Sequence, residues 1–82
     1  MIVYLNGAYV RAEEATVSVD DRGFLFADGV YEVVRLYDGV WFEAEAHYAR
    51  LRESLEKIRI LFPDIEALSA IAHRLLEENE VP

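Results

Sequence analysis

Residues 19–42 read VDDRGFLFADGVYEVVRLYDGVWF, and this stretch organises the rest of the chain. Its second half predicts a β-strand over Val30–Tyr37, because valine, tyrosine and other β-branched or aromatic residues favour extended backbone. Successive side chains of a strand point to opposite faces. One face therefore carries Val30, Glu32, Val34 and Leu36, and the other carries Tyr31, Val33, Arg35 and Tyr37. A face that only packed against a core would rarely place a guanidinium between two phenols, so the second face is the unusual one.

Two glycine-containing turns predict two β-hairpins. Asp38-Gly39 joins the central strand to a return strand at Val40–Phe42. Asn6-Gly7 is flanked in the same way by Ile2–Leu5 and Ala8–Val10. Both dipeptides suit a type I′ turn, in which the two central residues need positive φ.

The segment between the hairpins is less regular. Arg11–Ala15 is a polar connector, and Thr16–Val19 alternates well enough to predict a short third strand. Asp20–Gly23 is too polar and glycine-containing for regular structure. The spacing of Asp20, Asp21 and Asp28 fits no calcium-binding pattern, so we interpret these aspartates as turn caps.

From Glu43 onward, apolar residues recur about every 3.6 residues instead of every two, and this spacing predicts two helices. The stripe of the first comprises Tyr48, Leu51, Leu55, Ile58 and Phe62. Pro63 should end this helix and occupy the first turn of the next, because proline suits a first turn and not an interior. The second stripe comprises Ile65, Leu68, Ile71 or Ala72, and Leu75. Val81-Pro82 follows without a glycine cap, so we expect no closing element and a chain that is cut at this point.

These patterns together predict an α+β fold, in which antiparallel hairpins form one sheet and both helices pack on one side of it. The helix stripes have to be buried, and the sheet is the only large partner available. Residues 1–82 are accordingly expected to form a single small domain.

Composition excludes several classes of protein. The net charge is −8, with sixteen acids against eight bases, which argues against a nucleic-acid partner. There is no cysteine, so neither a disulfide framework nor a thiolate metal site can form. No apolar stretch approaches the roughly 20 residues of a membrane helix, and no basic leader precedes the first apolar run. We therefore expect a cytoplasmic protein without a membrane partner.

Two polar residues of the first helix share one flank. At 100° per residue, His47 lies roughly 50° and Arg50 roughly 110° from the centre of the apolar stripe. The pair is therefore predicted on the seam between core and solvent, where a bound anion could reach both side chains. Taken alone, Arg50 would more simply be a solvated helix residue.

The run DDRGFLFADGVYEVVRLYDGVWF, followed by His47-x-x-Arg50-Leu51 and LRESLEKIRI, resembles the fold-type IV pyridoxal-phosphate (PLP) enzymes. That family includes branched-chain aminotransferases, D-amino acid aminotransferases and aminodeoxychorismate lyases. The resemblance covers essentially all 82 residues, including the opening YLNG. The sequence Tyr-Glu-Val-Val at Tyr31–Val34 is most similar to that of the D-amino acid aminotransferases. After the aromatic, branched-chain enzymes more often have Glu-Gly-Ile, and lyases more often have Phe-Glu-Thr at this place.

The resemblance implies roles for particular residues. Arg50 matches the arginine that contacts the cofactor phosphate, a two-pronged task suited to guanidinium. Tyr31 matches an aromatic that lines the substrate pocket, and Val33 on the same face would be a pocket wall. His47 is a further candidate near the phosphate. Arg35 is a possible site residue, although a structural or interface cation is the simpler interpretation. Glu32, on the opposite face, is expected to be paired structurally.

Two departures from the family pattern matter. Ala27 stands where many members have glycine, so it would be strained if the backbone there needs positive φ. The catalytic lysine, which would hold PLP covalently and shuttle the proton, is absent. The only lysine is Lys57, for which a surface ion pair with Glu53 is the expected role. In the family that lysine comes from a larger domain, so residues 1–82 are expected to be the N-terminal small domain.

Two hypotheses for function follow. In the first, the chain is part of an aminotransferase that moves an amino group between an α-amino acid, of D or branched-chain type, and a 2-oxo acid, with a homodimer as the expected assembly. In the second, it is a truncated or engineered non-catalytic module that folds and self-associates; the small domain of a related lyase is a further alternative. In either case we expect no catalytic residue within the chain itself.

Overall fold

The computed structural model describes residues 1–62 and 64–82, so the predicted helix boundary at Pro63 lies outside the described residues. Along the chain the elements are β1 (Ile2–Leu5), β2 (Ala8–Arg11), a 3-10 turn (Ala12–Glu14), α1 (Arg22–Phe26), β3 (Leu36–Tyr37), β4 (Val40–Trp41), α2 (Ala44–Lys57) and α3 (Ala67–Glu78). They belong to two compact units, one of residues 1–19 and 66–82 and the other of residues 20–65.

The antiparallel α+β class predicted from the sequence is confirmed. The two hairpins, however, form two separate two-stranded sheets, β1–β2 and β3–β4, where the pattern had suggested one. The third strand predicted at Thr16–Val19 is wrong, because these residues have no strand partner and form irregular backbone and a turn. Alternating side chains favour extended backbone, but a strand also needs a neighbour for its hydrogen bonds.

The first unit is built on the β1–β2 hairpin. Ile2 pairs with Arg11 and Leu5 with Ala8, and Asn6 and Gly7 have φ of 48° and 88°, so the predicted turn is confirmed. The helix α3 packs against β1. The Asn79 side chain joins the two elements: its Oδ1 accepts from Ile2 N at 2.7 Å, and its Nδ2 donates to Ile2 O at 2.8 Å.

No glycine cap and no further element follow α3 in the described residues, as expected, but backbone hydrogen bonds cap the helix. Beyond α3, Glu80 N donates to Glu77 O at 3.1 Å and Val81 N donates to Leu76 O at 2.8 Å. This pair of bonds is a Schellman motif, and Glu80 takes the left-handed position with φ of 55°. The helix is thus closed by a glutamate where glycine is usual.

The second unit begins with a short helix where irregular backbone was expected. Asp21 caps α1, since its Oδ1 accepts from Gly23 N at 2.8 Å and its carbonyl accepts from Phe24 N at 3.0 Å. A single good N-cap thus overrides the poor helix propensity of the polar segment. Ala27 ends the helix with φ of 56°, so the left-handed conformation anticipated for this residue is present.

The central segment is extended but mostly unpaired. Only Leu36–Tyr37 forms a strand, pairing with Val40–Trp41, and Phe42 N donates to Arg35 O at 2.8 Å just beyond the pair. The strand predicted over residues 30–37 is therefore too long. Its two faces are nevertheless confirmed, because even-numbered residues from Val30 to Leu36 are half-buried and odd-numbered ones from Tyr31 to Tyr37 are exposed.

The helix α2 is shorter than its predicted apolar stripe. Arg59 has φ of 59°, and Ile60 N donates to Leu55 O at 3.0 Å, so a Schellman motif ends the helix before Ile58 and Phe62. Those two side chains are 43% and 45% exposed and do not extend the buried stripe as predicted. In the part of the chain that the structure describes, only Ile65 is buried, with 5% of its surface exposed. No helix of this part has the length and apolar content to cross a membrane.

Candidate functional site

A carboxylate of the extended segment brings the predicted phosphate residues together. Glu32 Oε2 accepts from Arg50 Nε at 2.8 Å, and Glu32 Oε1 accepts from Arg50 Nη2 at 2.7 Å. His47 Nδ1 lies 2.6 Å from the same Oε1. We call Glu32, His47 and Arg50 the Glu32 cluster. The prediction that Glu32 is paired structurally is confirmed, and the anion that reaches both His47 and Arg50 is a carboxylate of the chain itself.

The local elements explain how the cluster forms. Alternation along the extended segment turns Glu32 away from Tyr31, and its side chain is only 10% exposed. His47 and Arg50 are three residues apart on α2, so both side chains project from one flank of the helix. Exposure rises from 22% at His47 to 65% at Arg50, as expected for residues on the seam between core and solvent.

The protonation states follow from the donors and acceptors. Hydrogen bonds from Arg50 and then from His47 lower the pKa of Glu32 to about 2, so the carboxylate is ionised at neutral pH. An ionised carboxylate only accepts, and therefore the proton between His47 and Glu32 belongs to Nδ1 of the imidazole. Arg50 Nη2, at 3.5 Å from that Nδ1, finds no acceptor there.

Arg50 keeps part of its hydrogen-bonding capacity free. Guanidinium has five N–H donors, and Glu32 takes the edge formed by Nε and Nη2. The opposite edge, formed by Nη1 and the second Nη2 hydrogen, has no partner among the described residues. Since the side chain is 65% exposed, this free edge can offer a second two-pronged contact to a planar or tetrahedral anion.

The remaining predicted site residues are exposed on the other face of the extended segment. Tyr31 is 84% exposed and Val33 is 69% exposed, and Arg35 is exposed beside them. The pKa of Arg50 is raised mainly by its hydrogen bonds to Glu32 rather than by the residues of this exposed face. Among the described residues, the Arg35 side chain forms no hydrogen bond or ion pair with the Glu32 cluster.

Lys57 lies apart from this site. It occupies the last position of α2 and is exposed. The expected ion pair with Glu53 does not form in the described part of the chain, so Lys57 is an exposed helix-end residue. A separate groove of about 560 Å³ is lined by residues 21–23, 28 and 58–60. Two arginines and two aspartates line it, so it carries no net charge to attract an ion.

Comparison with known proteins decides the family. The model of the amino-transferase class IV family matches residues 29–82, a segment that contains the whole Glu32 cluster. The chain belongs to this family.

Curated relatives of this class IV chain extend over nearly its whole length. It is 45% identical over 80 residues to a D-alanine aminotransferase of Staphylococcus epidermidis, a match that covers 96% of the chain and 28% of the relative. A D-alanine aminotransferase of Listeria monocytogenes serotype 4b is 45% identical over 82 residues, covering 99% of the chain and 28% of the relative. That of Staphylococcus aureus strain N315 is 38% identical over 80 residues. The chain thus spans about 28% of the length of these relatives.

The sequence pattern did not assign Glu32 to the site. Alternation placed Glu32 opposite the predicted pocket face, which indicated only structural pairing. The available signal was on α2, where His47 and Arg50 share a flank three residues apart, beside the apolar stripe. Two donors on a partly buried flank favour an acceptor from another segment, and Glu32 is the half-buried carboxylate of the extended segment.

Proposed function

We propose that this chain is the N-terminal domain of a PLP-dependent aminotransferase that moves an amino group between a D-amino acid and a 2-oxo acid. The observation that carries the proposal is the match along nearly the whole chain to relatives named D-alanine aminotransferase. D-Alanine is accordingly the first substrate to test. The rest of the enzyme, including the lysine that holds the cofactor, is proposed to lie in a larger domain that corresponds to the unmatched part of the relatives.

The residues present fit the phosphate group of PLP. A phosphate dianion needs donors that are charged, exposed and held in place. Arg50 meets these requirements, since one edge is fixed by Glu32 and the other edge is free and exposed. His47 supports this arrangement by donating to the same Glu32 carboxylate. We therefore assign Arg50 as the phosphate ligand within this chain and His47 as a supporting residue.

When bound, PLP supplies the electron sink that stabilises negative charge on the α-carbon of the amino acid. The residues of this chain contribute binding and orientation. Arg50 fixes the phosphate end, while Tyr31 and Val33 present an exposed phenol and an apolar wall as part of the substrate pocket. Arg35, on the same face, is available for a substrate carboxylate or for an interface. A homodimer in the cytoplasm completes the proposal, in line with the family resemblance.

A domain exchange tests this function. The matched segment of the Staphylococcus epidermidis D-alanine aminotransferase is replaced by this chain, and amino transfer to a 2-oxo acid is measured with D-alanine, L-alanine and L-valine. We expect the chimera to bind PLP and to prefer D-alanine. A chimera that folds and binds PLP but prefers L-valine would assign the chain to branched-chain chemistry, and a folded chimera without PLP binding would contradict the proposal.

A control variant separates catalytic loss from general damage. Lys57→Ala removes the only lysine of the chain, which is exposed at the last position of α2, seven residues after Arg50. Activity of the chimera should be unchanged, because the amine that holds PLP is supplied by the larger domain. Loss of PLP binding in this variant would show that our account of Lys57 is wrong.

A further inference from the structure

We propose that Glu32 is a positioning residue, which orients Arg50 so that its free edge meets the phosphate of the cofactor. The inference rests on the proposed function, because it takes Arg50 as the phosphate ligand. It assigns a role to a carboxylate on the face opposite the substrate pocket, for which structural pairing alone was expected.

The geometry gives Glu32 control over the direction of the guanidinium. A long arginine side chain that is 65% exposed would otherwise sample many rotamers. Two hydrogen bonds, of 2.8 Å from Nε and 2.7 Å from Nη2, fix both the position and the plane of the group. Because Glu32 occupies the Nε edge, the Nη1 edge is left pointing away from the carboxylate. A phosphate can then be bound in the same plane without rearrangement of the side chain.

His47 holds the carboxylate itself in place. Its Nδ1–H donates to Oε1 at 2.6 Å, so Oε1 receives one bond from each partner while Oε2 receives one from Arg50. With three donors around it and 10% exposure, the carboxylate cannot rotate freely. His47, fixed on α2, therefore holds the Glu32 carboxylate, and the carboxylate in turn holds the exposed guanidinium of Arg50.

The negative charge of Glu32 opposes phosphate binding, whereas its positioning of Arg50 favours it, and this makes the inference testable. Glu32 cancels the charge of Arg50, so the pair attracts a dianion less strongly than Arg50 alone would. If Glu32 affected PLP only through its charge, removing that charge would strengthen binding. If Glu32 positions Arg50, its removal weakens binding although the site becomes more positive. The two explanations predict changes of opposite sign.

The decisive measurement is PLP dissociation from the chimera described above, by absorbance titration. Glu32→Gln should weaken PLP binding about tenfold, because the charge-assisted hydrogen bonds that orient Arg50 towards the phosphate are weakened. Glu32→Asp keeps the charge but withdraws the carboxylate by one methylene, and should also weaken binding. Unchanged or tighter binding in both variants would overturn the inference.

A double substitution separates positioning from a merely structural role. In an Arg50→Lys background the two-pronged contact is already lost, so adding Glu32→Gln should leave PLP binding unchanged or strengthen it. An equal weakening by Glu32→Gln in the parent and in the Arg50→Lys background would mean that Glu32 acts only through general stability, and would overturn the inference. Glu78→Gln is the matched control, since it removes one acid from an exposed pair with Arg74 in the other unit and should not change PLP binding.

The failure of this inference and of the proposed function can be distinguished. If Arg50→Ala leaves PLP binding unchanged, the phosphate assignment fails and the role of Glu32 fails with it. If Arg50→Ala weakens PLP binding but Glu32→Gln does not, the assignment of Arg50 stands and only the positioning role is refuted.

Discussion

Glu32 is the residue at which local chemistry has the clearest consequence for pH dependence. Its pKa is lowered to about 2 from an ordinary 4.5 by hydrogen bonds from Arg50 and His47. A lowered pKa in the folded state means that the contribution to stability is complete above about pH 4.5 and is lost as the pH falls towards 2. Ionised Glu32 therefore stabilises the folded state throughout the neutral range.

This pH dependence can be isolated by comparison with Glu32→Gln, which cannot ionise. The urea midpoint of the parent should exceed that of the variant at neutral pH, and the difference should shrink between pH 4.5 and 2. Glu78→Gln, in a more exposed pair with Arg74 at 3.5 Å, should give little difference at any pH. A difference for Glu32→Gln that stays constant from pH 7 to 2 would contradict the assigned ionisation.

Ala27 gives a prediction of stability at a single backbone position. It adopts φ of 56° at the end of α1, where a side chain costs about 1 kcal/mol relative to glycine. Ala27→Gly should raise the free energy of unfolding by about 0.5–1 kcal/mol, the strain removed exceeding the added entropy of the unfolded chain. Ala49→Gly, at an exposed position within α2, is the matched control and should lower it by about 1 kcal/mol. Chemical denaturation gives the change in the free energy of unfolding for each variant. Changes in the same direction for both would contradict the conformation assigned to Ala27.

Among the elements, α3 and β1 depend on one side chain. Asn79 accepts from Ile2 N, donates to Ile2 O, and also donates to Leu75 O at 2.9 Å. Asn79→Ala removes all three bonds and leaves half-buried backbone groups without partners, so we expect a loss of about 1–3 kcal/mol of stability. Asn79→Asp keeps the acceptor but sets a carboxylate against two carbonyls, and should be at least as destabilising. Thermal or urea unfolding measures the stability of both variants. Free energies of unfolding within about 0.5 kcal/mol of the parent would show that the Asn79 contact contributes no more than an ordinary surface residue.

The elements differ in how far the sequence predicts them. Asn6-Gly7 and Asp38-Gly39 were predictable because positive φ at two adjacent positions is a local requirement, and the structure confirms it. Alternation along residues 30–37 correctly predicted the two faces, because it depends only on extended backbone. Pairing was overestimated there, since partners for a strand are set by tertiary contacts.

Helix ends were harder to predict than helices. The start of α1 depends on the side chain of Asp21, and the ends of α2 and α3 depend on Arg59 and Glu80 in left-handed backbone. Such residues carry no conspicuous signal, because glycine is the usual marker of a Schellman motif. For the same reason the apolar stripe of the first helix was extended to Phe62, beyond the point where the helix ends.

The candidate site was predicted in part. The HxxR spacing and the family resemblance indicated Arg50 and His47, and helix geometry alone placed both on one flank. The partner that holds them, Glu32, lies 15 and 18 residues earlier in the chain. Only the folded arrangement of the extended segment and α2 joins these residues, so a linear pattern could not specify the contact.

For the molecule as a whole, the exposed face of the extended segment predicts association of the isolated chain. Tyr31, Val33 and Tyr37 are 84%, 69% and 52% exposed and adjoin unpaired backbone, which favours contact with another chain. Sedimentation velocity at increasing concentration should show species heavier than 9.4 kDa. Val33→Ser should reduce association more than Leu61→Ser, although Leu61 is 88% exposed, because Leu61 lies outside this face. A monomer at all concentrations would contradict the prediction.

The central claim for the whole molecule is that this class IV chain contributes Arg50 to a PLP site. Its most direct test is the PLP dissociation constant of the chimera with Arg50→Ala, Arg50→Lys and Lys57→Ala. Charge-assisted hydrogen bonds to phosphate contribute about 1.5–3 kcal/mol each, so Arg50→Ala should weaken binding by roughly one to two orders of magnitude. Arg50→Lys should recover part of that loss, and Lys57→Ala should bind as the parent does. If Arg50→Ala holds PLP as tightly as the parent, Arg50 is a solvated helix residue and the assigned site is wrong.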